Sequence, residues 1–367
     1  MLCVICTYTE PESAGHGPGL LVARLDPLRG ELTARQTIAG RNPAWMAVGP
    51  RRDRAYVVHE LATDDGRPQG TASSWAVDAA EGTLARLNQV PSGGRGPAHC
   101  SVHPTAKALL VAHYGSGHVA ALPIGANGAL APPSDARLPM GRVGPAVAAH
   151  APPGSFAQSG HDATRAHMAA ADPSGRWVLS TDLGQDITQI WTLADGRLGP
   201  HAAIAASLGG GPRHFAFHPT AGTLYVLQEE ASELAVWDFD ARMGTARAAQ
   251  LLSTLPEGFA GTSFASALAL SADGRFLYAG NRLHNSVAIF GLDASGHARL
   301  LDAEWTRGDY PNHIALDPTG RFLLACNRRS DQMTVFRVDI RSGRLAFTGQ
   351  YFPIGSPNMI CFIDPPC

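Results

Sequence analysis

Charged and amide side chains recur at matching positions along this chain, next to short apolar segments. Arg213 precedes the apolar run 215–217, and Glu229 follows the apolar run 224–227. A Pro-Thr-Ala-Gly turn separates the two runs, which predicts a β-hairpin. Strands joined by so short a turn must be antiparallel, so Arg213 and Glu229 lie at the same end of the hairpin.

The residue types at such positions indicate acid–base chemistry on an anionic substrate. The guanidinium groups of Arg213 and Arg282 suit a carboxylate, a phosphate or a developing oxyanion. Glu229 and His167 can transfer a proton near neutral pH, and the sequence leaves open which of them does so. The chain has no G-x-S-x-G motif, and no cysteine stands at a corresponding position, so covalent catalysis is less well supported.

These residues also have structural interpretations. Arg213 and Glu229 could form ion pairs that hold neighbouring units of the fold together, and His167 could be a hydrogen-bonded structural histidine. The fifteen histidines are scattered over the repeats and show no H-x-H spacing. We therefore expect neither a required metal nor another cofactor.

The elements that position these residues are repeated. Six complete hairpins begin near residues 43, 97, 165, 211, 266 and 311, and spacings of roughly 46 to 67 residues are typical of propellers or solenoids. A third strand follows each hairpin, as at 334–339, and a glycine-containing turn with a fourth strand usually comes next, as at 341–347. Four strands per repeat is the pattern of a propeller blade.

The two ends of the chain supply a seventh blade. Residues 357–362 resemble an inner strand without a partner after it, and residues 2–8 resemble a second strand without an inner strand before it. Their pairing would close the ring and remove exposed sheet edges. The sequence thus predicts an all-β fold, a seven-bladed β-propeller with four-stranded antiparallel blades, as a single domain over residues 1–367.

In a propeller, the starts of the first strands and the ends of the second strands share one face of the disc. Polar residues that converge there are the default binding-site hypothesis. We expect four of them to be catalytic, namely His167, Arg213, Glu229 and Arg282. We expect eight others to bind substrate or shape the pocket, namely Glu60, His113, Arg165, Asp182, His214, Asn281, Asn312 and Arg328.

Two longer segments interrupt the repeats. Residues 61–74 lengthen a link within the first blade, and residues 131–163, rich in proline, join blades two and three. Loops of more than about 15 residues in a compact domain are usually functional or disordered. The second segment should reach the same rim as the strand starts, either as a lid or pocket wall or as a mobile surface loop.

The amino-acid composition excludes some classes of binding partner. The chain is 45% hydrophobic with a formal net charge of −2 and has no run of Lys or Arg, so we expect neither nucleic acid nor an anionic membrane as a partner. No apolar run approaches the roughly 20 residues that cross a bilayer. Met1 leads directly into a strand, so we expect no signal peptide. We expect the partner to be a small anionic molecule, bound by a monomer or small homo-oligomer.

Six cysteines in a chain of this length indicate reduced thiols and a cytoplasmic location. Cys3 and Cys6 form a C-x-x-C motif, but residues three apart in a strand point to opposite faces, which argues against a redox or zinc role. Cys361 could lie near them in the closing blade, although we do not expect a disulfide there.

The chain resembles the seven-bladed propeller lactonases, which include propeller-type 6-phosphogluconolactonases and carboxy-cis,cis-muconate lactonizing enzymes. The most specific match is Gly210-Gly211-Pro212-Arg213-His214, supported by residues 6–9, 224–229 and 274–282. The resemblance implies a functional set of one His, two Arg and one Glu, which fall on His167, Arg213, Arg282 and Glu229.

The sequence departs from the family pattern at several places. Arg165 stands where the family has the first His of P-H-A-H, His113 replaces an Asn, and His59 precedes Glu60 in place of another Asn. These changes concern the substrate more than the fold. Hydrolysis of a sugar or phosphosugar lactone is the leading hypothesis. Cycloisomerisation of a carboxylated muconate at the same site, and a non-catalytic binding scaffold, are the alternatives.

Overall fold

A computed structural model of the chain describes residues 1–67, 69–158 and 160–364. Within these residues, 28 strands form seven sheets of four antiparallel strands each. The predicted all-β fold of seven four-stranded blades is confirmed. Pro68 in the first predicted interruption, Ser159 in the second, and residues 365–367 of the predicted domain, including Cys367, lie outside the described residues.

The chain begins with three strands of the closing blade, blade seven, and then runs through blades one to six. Blade seven contains β1 (Leu2–Thr7), β2 (Leu20–Leu25) and β3 (Leu32–Ile38). Blade one is β4 (Pro43–Val48), β5 (Arg54–His59), β6 (Thr71–Asp78) and β7 (Thr83–Pro91). Blade two is β8 (Pro97–Val102), β9 (Ala108–His113), β10 (Val119–Pro123) and β11 (Asp135–Arg137). Blade three is β12 (Ala166–Ala171), β13 (Trp177–Asp182), β14 (Ile187–Ala194) and β15 (Arg197–Ala205).

Blade four is β16 (Pro212–Phe217), β17 (Thr223–Gln228), β18 (Glu233–Asp240) and β19 (Thr245–Ser253). Blade five is β20 (Phe264–Leu270), β21 (Phe276–Arg282), β22 (Ser286–Leu292) and β23 (Ala298–Trp305). Blade six is β24 (Pro311–Leu316), β25 (Phe322–Asn327), β26 (Gln332–Val338) and β27 (Leu345–Pro353). The inner strand of blade seven is β28 (Pro357–Phe362), and two short 3-10 helices span Pro11–Ser13 and Arg328–Ser330.

Pairing of the two chain ends closes the ring, as predicted. Strand β1 lies antiparallel to β28, with Ile5 opposite Ile360, and the Leu2 amide donates to the Asp364 carboxylate at 2.5 Å. Each inner strand contacts the inner strands of both neighbouring blades, including β28 against β4. The closing pair gives blade seven four strands like the other blades, so β28 and β1 each have a partner strand.

The core consists of seven apolar clusters, one between each pair of adjacent blades. The second strands are buried along their length, except for Arg54 at the start of β5, which explains their apolar sequences. Cys6 packs in the cluster shared with blade one, and Cys3 packs in the cluster shared with blade six. The prediction that the C-x-x-C thiols point to opposite faces is confirmed, and Cys3, Cys6 and Cys361 are free thiols.

Both predicted interruptions are shorter than the sequence suggested. Residues 71–74 already belong to β6, and 135–137 form β11, the short outer strand of blade two. The sequence did not predict the three-residue strand β11, because this strand is polar and follows Pro132-Pro133. The rest of the second segment crosses the rim of blades three to five, where Ala149 donates to the Leu208 carbonyl and Gly261 donates to that of Pro153.

Candidate active site

A β-bulge near the first end of each inner strand determines which side chains reach the rim. The register shifts in all seven inner strands, for example between Pro212 and His214 in β16. The extra residue is Arg213 in blade four and His167 in blade three. Bulges redirect a side chain relative to the regular alternation. The bulges therefore present Arg213 and His167 at the mouth of the channel.

The second strands contribute through the residue at or just beyond their last position. Glu229 follows β17, and Arg282 ends β21, which is one residue longer. The amide of Glu229 donates to the Gly211 carbonyl, and its own carbonyl accepts from Ala265 at the start of blade five. Glu229 is thus fixed by its backbone to the inner strands of two blades.

The centre of the site is one carboxylate between two guanidinium groups. Glu229 Oε2 lies 2.8 Å from Arg213 Nε and 2.6 Å from Arg282 Nη2. All three side chains are buried, with at most 8% of each exposed. Burial and the charge of Arg282 lower the pKa of Arg213 to about 10. Burial also lowers the pKa of Arg282, but the charge of Glu229 outweighs that effect and leaves it raised.

Backbone carbonyls and an aromatic ring complete the surroundings of the two arginines. Arg213 Nη1 donates to the Ser266 carbonyl, and Arg282 donates to those of Phe264 and Ala265 at 3.4 and 3.2 Å. The Arg282 guanidinium also lies 5.2 Å from the ring centre of Tyr310. Two cations are therefore held rigidly in a largely water-free setting, where their field on a developing oxyanion is strong.

His167 lies beside this cluster with one ring nitrogen uncommitted. Its Nδ1 is buried and has no hydrogen-bond partner among the described residues. Burial and the charges of Arg213 and Arg282 hold the pKa of His167 well below its usual range. The imidazole is therefore neutral and weakly basic. It meets the rings of Tyr114 and His214 edge-on, at 5.7 and 5.1 Å.

A layer of rings packs beside the charged cluster, with His214 next to Arg213. Trp45 lies 4.6 Å from His99, 5.1 Å from His214 and 5.0 Å from His313, between ring centres. Burial lowers the pKa of His99 and that of His313 to about 3. Neutral rings therefore pack together at this side of the cluster.

A second polar group, which we call the Tyr8–Glu60 pair, lines the wall formed by blades seven and one. The Tyr8 hydroxyl donates to Glu60 Oε2 at 2.5 Å, and the Arg328 guanidinium lies 4.3 Å from the centre of the Tyr8 ring. Glu60 and Tyr114 also line a cleft of about 350 Å³. Glu60 therefore borders open space, and the charge of Arg213 acts on the pKa of both Tyr8 and Glu60.

Other predicted residues are turned into the blades or are already paired. His113 binds the His118 carbonyl and Ser92 Oγ, and Asn281 binds Thr254 and Ser286. These two are the last residues, or next to last, of their second strands, and alternation points them away from the funnel. Asp182, at the equivalent place, accepts from the backbones of residues 165 and 185.

Three further predicted residues have partners at the rim. Arg165 forms a bidentate ion pair with Asp162, at 2.8 and 2.9 Å. Asn312 donates to Asn358 Oδ1, at 2.5 Å, on the inner strand of the neighbouring blade. His214 belongs to the ring layer. Their assignment as substrate-binding residues stays a prediction, as do the roles of the four central residues.

Several residues of the site were absent from the prediction. Tyr8 and Tyr114 occupy the position just after a second strand, the same position as Glu60, Glu229 and Arg328. That shared position is the signal that could have found them. Tyr310 precedes β24, and only the fold brings it against Arg282.

The segment before β12 contacts the rim through the buried side chain of His161. His161 Nε2 lies 3.0 Å from Asp186, and Nδ1 lies 2.9 Å from Glu230, the neighbour of Glu229. Burial lowers the pKa of His161, but its hydrogen bonds to the two carboxylates outweigh burial and raise it to about 10. His161 is therefore a cation between two anions, and it attaches the rim segment, residues 138–158 and 160–163, to blades three and four.

The structure has a second cavity, on the face opposite to the arginine–glutamate cluster. A cavity of about 640 Å³ lies on the opposite face, among the hairpin turns near Asp273 and Thr319. It contains none of the predicted site residues. No group of three or more His, Cys, Asp or Glu side chains among residues 1–67, 69–158 and 160–364 is arranged to hold a metal ion. Over the same ranges, no helix is long and apolar enough to cross a bilayer.

A closed seven-bladed propeller with an arginine–glutamate cluster at one mouth defines the class of protein. The family model described as "Lactonase, 7-bladed beta-propeller" matches residues 2–362, and the chain belongs to this family. The resemblance seen in the sequence is confirmed.

Individual relatives carry more specific names. The chain is 30% identical over 307 residues to the 6-phosphogluconolactonase of Bacillus subtilis (strain 168), covering 83% of this chain and 82% of the relative. The structure of the Pseudomonas aeruginosa periplasmic gluconolactonase PpgL superposes with a TM-score of 0.88 at 29% identity, covering 100% of both chains. A protein from Lactobacillus plantarum superposes with a TM-score of 0.86 at 27% identity, covering 98% of both chains.

Proposed function

We propose that this protein is a lactonase that hydrolyses a sugar lactone, either phosphorylated or unphosphorylated, by metal-independent acid–base catalysis at the channel mouth. The observation that carries the proposal is the buried Arg213–Glu229–Arg282 cluster. Relatives named 6-phosphogluconolactonase and gluconolactonase support hydrolysis over cyclisation.

The two arginines suit the transition state of ester hydrolysis. Water adds to the lactone carbonyl carbon, the carbonyl oxygen gains negative charge, and the ring C–O bond then breaks as its oxygen takes up a proton. Guanidinium donors stabilise the oxyanion most when they are fixed in advance and shielded from water, as Arg213 and Arg282 are. Glu229 holds both guanidinium groups in place and limits their mutual repulsion.

Neutral His167 contributes a polar ring nitrogen on the same side of the funnel. Its position suits a hydrogen bond to a substrate hydroxyl or to the attacking water. The cytoplasmic location stays a prediction, because the PpgL relative is named as periplasmic. Whether the substrate carries a phosphate also stays open to experiment.

The test is a panel of glucono-1,5-lactone, 6-phosphoglucono-1,5-lactone and 3-carboxy-cis,cis-muconate, with the products measured by mass. Hydrolysis adds one water to the substrate, whereas cyclisation leaves the mass unchanged. Arg213→Ala should lower kcat by about 10²–10³-fold. Arg282→Lys keeps the positive charge but loses the planar set of guanidinium donors. This variant provides the test if Arg213→Ala fails to fold. Wild-type protein that accelerates none of the three reactions would overturn the proposal.

A further inference from the structure

The proposed hydrolysis needs a group that takes a proton from water and returns it to the ring oxygen. The two groups expected from the sequence are poorly suited to this task. One oxygen of Glu229, Oε2, is shared by Arg213 and Arg282, which stabilises the ionised form and weakens it as a base. The imidazole of His167 is likewise weakly basic, because its protonated form would be buried beside the same two cations.

A third ionisable group follows the second strand of blade one, across the ring from Arg213 and Glu229 in blade four. Glu60 is only partly buried and borders the cleft of about 350 Å³. Its carboxylate accepts from Tyr8 at 2.5 Å, and no ion pair involving Glu60 is present among the described residues. Glu60 thus combines a hydrogen-bonded orientation with room for a substrate, which neither Glu229 nor His167 does.

The backbone around Glu60 is built to hold this orientation. The Glu60 amide donates to the Asn42 carbonyl, and Asn42 Nδ2 donates to the Glu60 carbonyl at 3.2 Å. Asn42 Oδ1 accepts from the amides of Thr9 and Glu10, both at 2.9 Å. One asparagine side chain therefore ties Glu60 to the segment that carries Tyr8, so the two partners are fixed relative to each other.

From these contacts we infer that Glu60, oriented by Tyr8, is the proton-transfer group of the site. Glu60 takes a proton from water as the water oxygen bonds to the lactone carbonyl carbon. It gives the same proton to the ring oxygen as the ring C–O bond breaks, so the step needs no other reactant. Arg213 and Arg282 stabilise the oxyanion from the other wall, and Tyr8 is a positioning residue. The inference rests on the proposed lactone hydrolysis.

The electrostatic setting of Glu60 makes it a stronger base than an exposed carboxylate. Burial raises the pKa of Glu60, while the Tyr8 hydrogen bond and the charges of Arg328 and Arg213 oppose that rise. The other titratable or charged groups near Glu60 or in its cleft are Tyr114, Glu10, Glu12, Arg41 and Arg95. A raised carboxyl pKa improves the match between a base and the pH at which it operates.

The experiment measures kcat and KM for glucono-1,5-lactone and 6-phosphoglucono-1,5-lactone as functions of pH. Glu60→Gln should lower kcat by about 10²–10⁴-fold with a smaller effect on KM. Tyr8→Phe should move the acidic limb of kcat/KM to higher pH. The Tyr8 hydrogen bond favours the ionised form of Glu60, so its loss raises the pKa of Glu60. Glu304→Gln, which removes a partly exposed carboxylate on β23 paired with Arg307, is the matched control and should match the wild type.

The outcomes separate this inference from the proposed function. A wild type without lactonase activity overturns the proposed function and the inference together. An active wild type with a Glu60→Gln variant of equal kcat overturns only the assignment of Glu60. If Glu60→Gln fails to fold, the pH profile of Tyr8→Phe tests the assignment instead. An acidic limb of kcat/KM at the wild-type pH in that variant overturns the assignment of Glu60.

Discussion

The Arg282 guanidinium of blade five lies 2.6 Å from the Glu229 carboxylate of blade four. This ion pair joins two blades, so the central cluster exists only when those blades are docked. The arrangement resolves a question left open by the sequence, because the structural and functional interpretations of Glu229 do not exclude each other. Glu229 links neighbouring blades, and in the proposed mechanism it also holds both arginines for an anionic substrate.

Removing the charge of Glu229 should therefore affect stability as well as activity. Glu229→Gln leaves two buried guanidinium groups without their shared anion, and breaking a buried ion pair from one side costs about 3–5 kcal/mol. Urea unfolding followed by circular dichroism measures this loss. Asp238→Asn is the control, because Asp238 pairs with Arg247 on the surface, where ion pairs contribute about 0–1 kcal/mol. Equal losses in the two variants would contradict the prediction.

Gly211 is required by the turn that places Arg213. Its φ is +71°, and a Cβ atom there would lie 2.6 Å from a Glu230 carboxylate oxygen. Gly211→Ala should therefore cost more than the backbone term of about 1 kcal/mol, and should also lower kcat/KM by disturbing the rim. Gly320→Ala is a matched control, since φ is +67° and no heavy atom lies within 4 Å. Thermal unfolding with kinetics compares the two variants, and similar behaviour would count against the prediction.

The rim segment should detach at alkaline pH. The folded pKa of His161, about 10, exceeds its ordinary value of 6.5. The stabilisation it provides is therefore complete below about pH 6.5, and is lost as pH rises through about 10. Limited proteolysis of residues 138–163 should accelerate between pH 8 and pH 10.5.

Two variants separate the His161 anchor from a general effect of pH. His161→Gln should be cleaved rapidly at pH 8 and show little further change with pH. His150→Gln should behave like the wild type, because His150 is about half exposed and pairs with only one carboxylate, Glu233. Cleavage of the wild type at a constant rate across this range would refute the role of His161.

His113 should behave as a structural residue, despite its place among the sequence candidates. His113→Ala removes hydrogen bonds to the His118 carbonyl and Ser92 Oγ inside blade two. The loss of buried partners should destabilise the protein by about 1–3 kcal/mol. The KM of the folded fraction should stay near the wild-type value. A raised KM together with an unchanged unfolding midpoint would instead indicate that His113 binds substrate.

Much of this protein could be predicted from its sequence. Hairpin repeats with short turns determine seven blades, because strand alternation and turn chemistry are local properties of the chain. The direction reversal of each hairpin also places Arg213 and Glu229 at the same end, and the fold confirms that placement. The final strand could be matched to the first because each lacked the partner that every other blade possesses.

Tertiary structure decided which polar residues share the funnel. Side chains alternate along a strand, so a shift of one residue separates His113, which is buried in its blade, from Tyr114, which faces the site. The bulges that redirect Arg213 and His167, and the contact of Tyr8 with Glu60, depend on register and on closure of the ring. Local sequence specifies strands and turns, whereas these distances arise only when distant blades pack together.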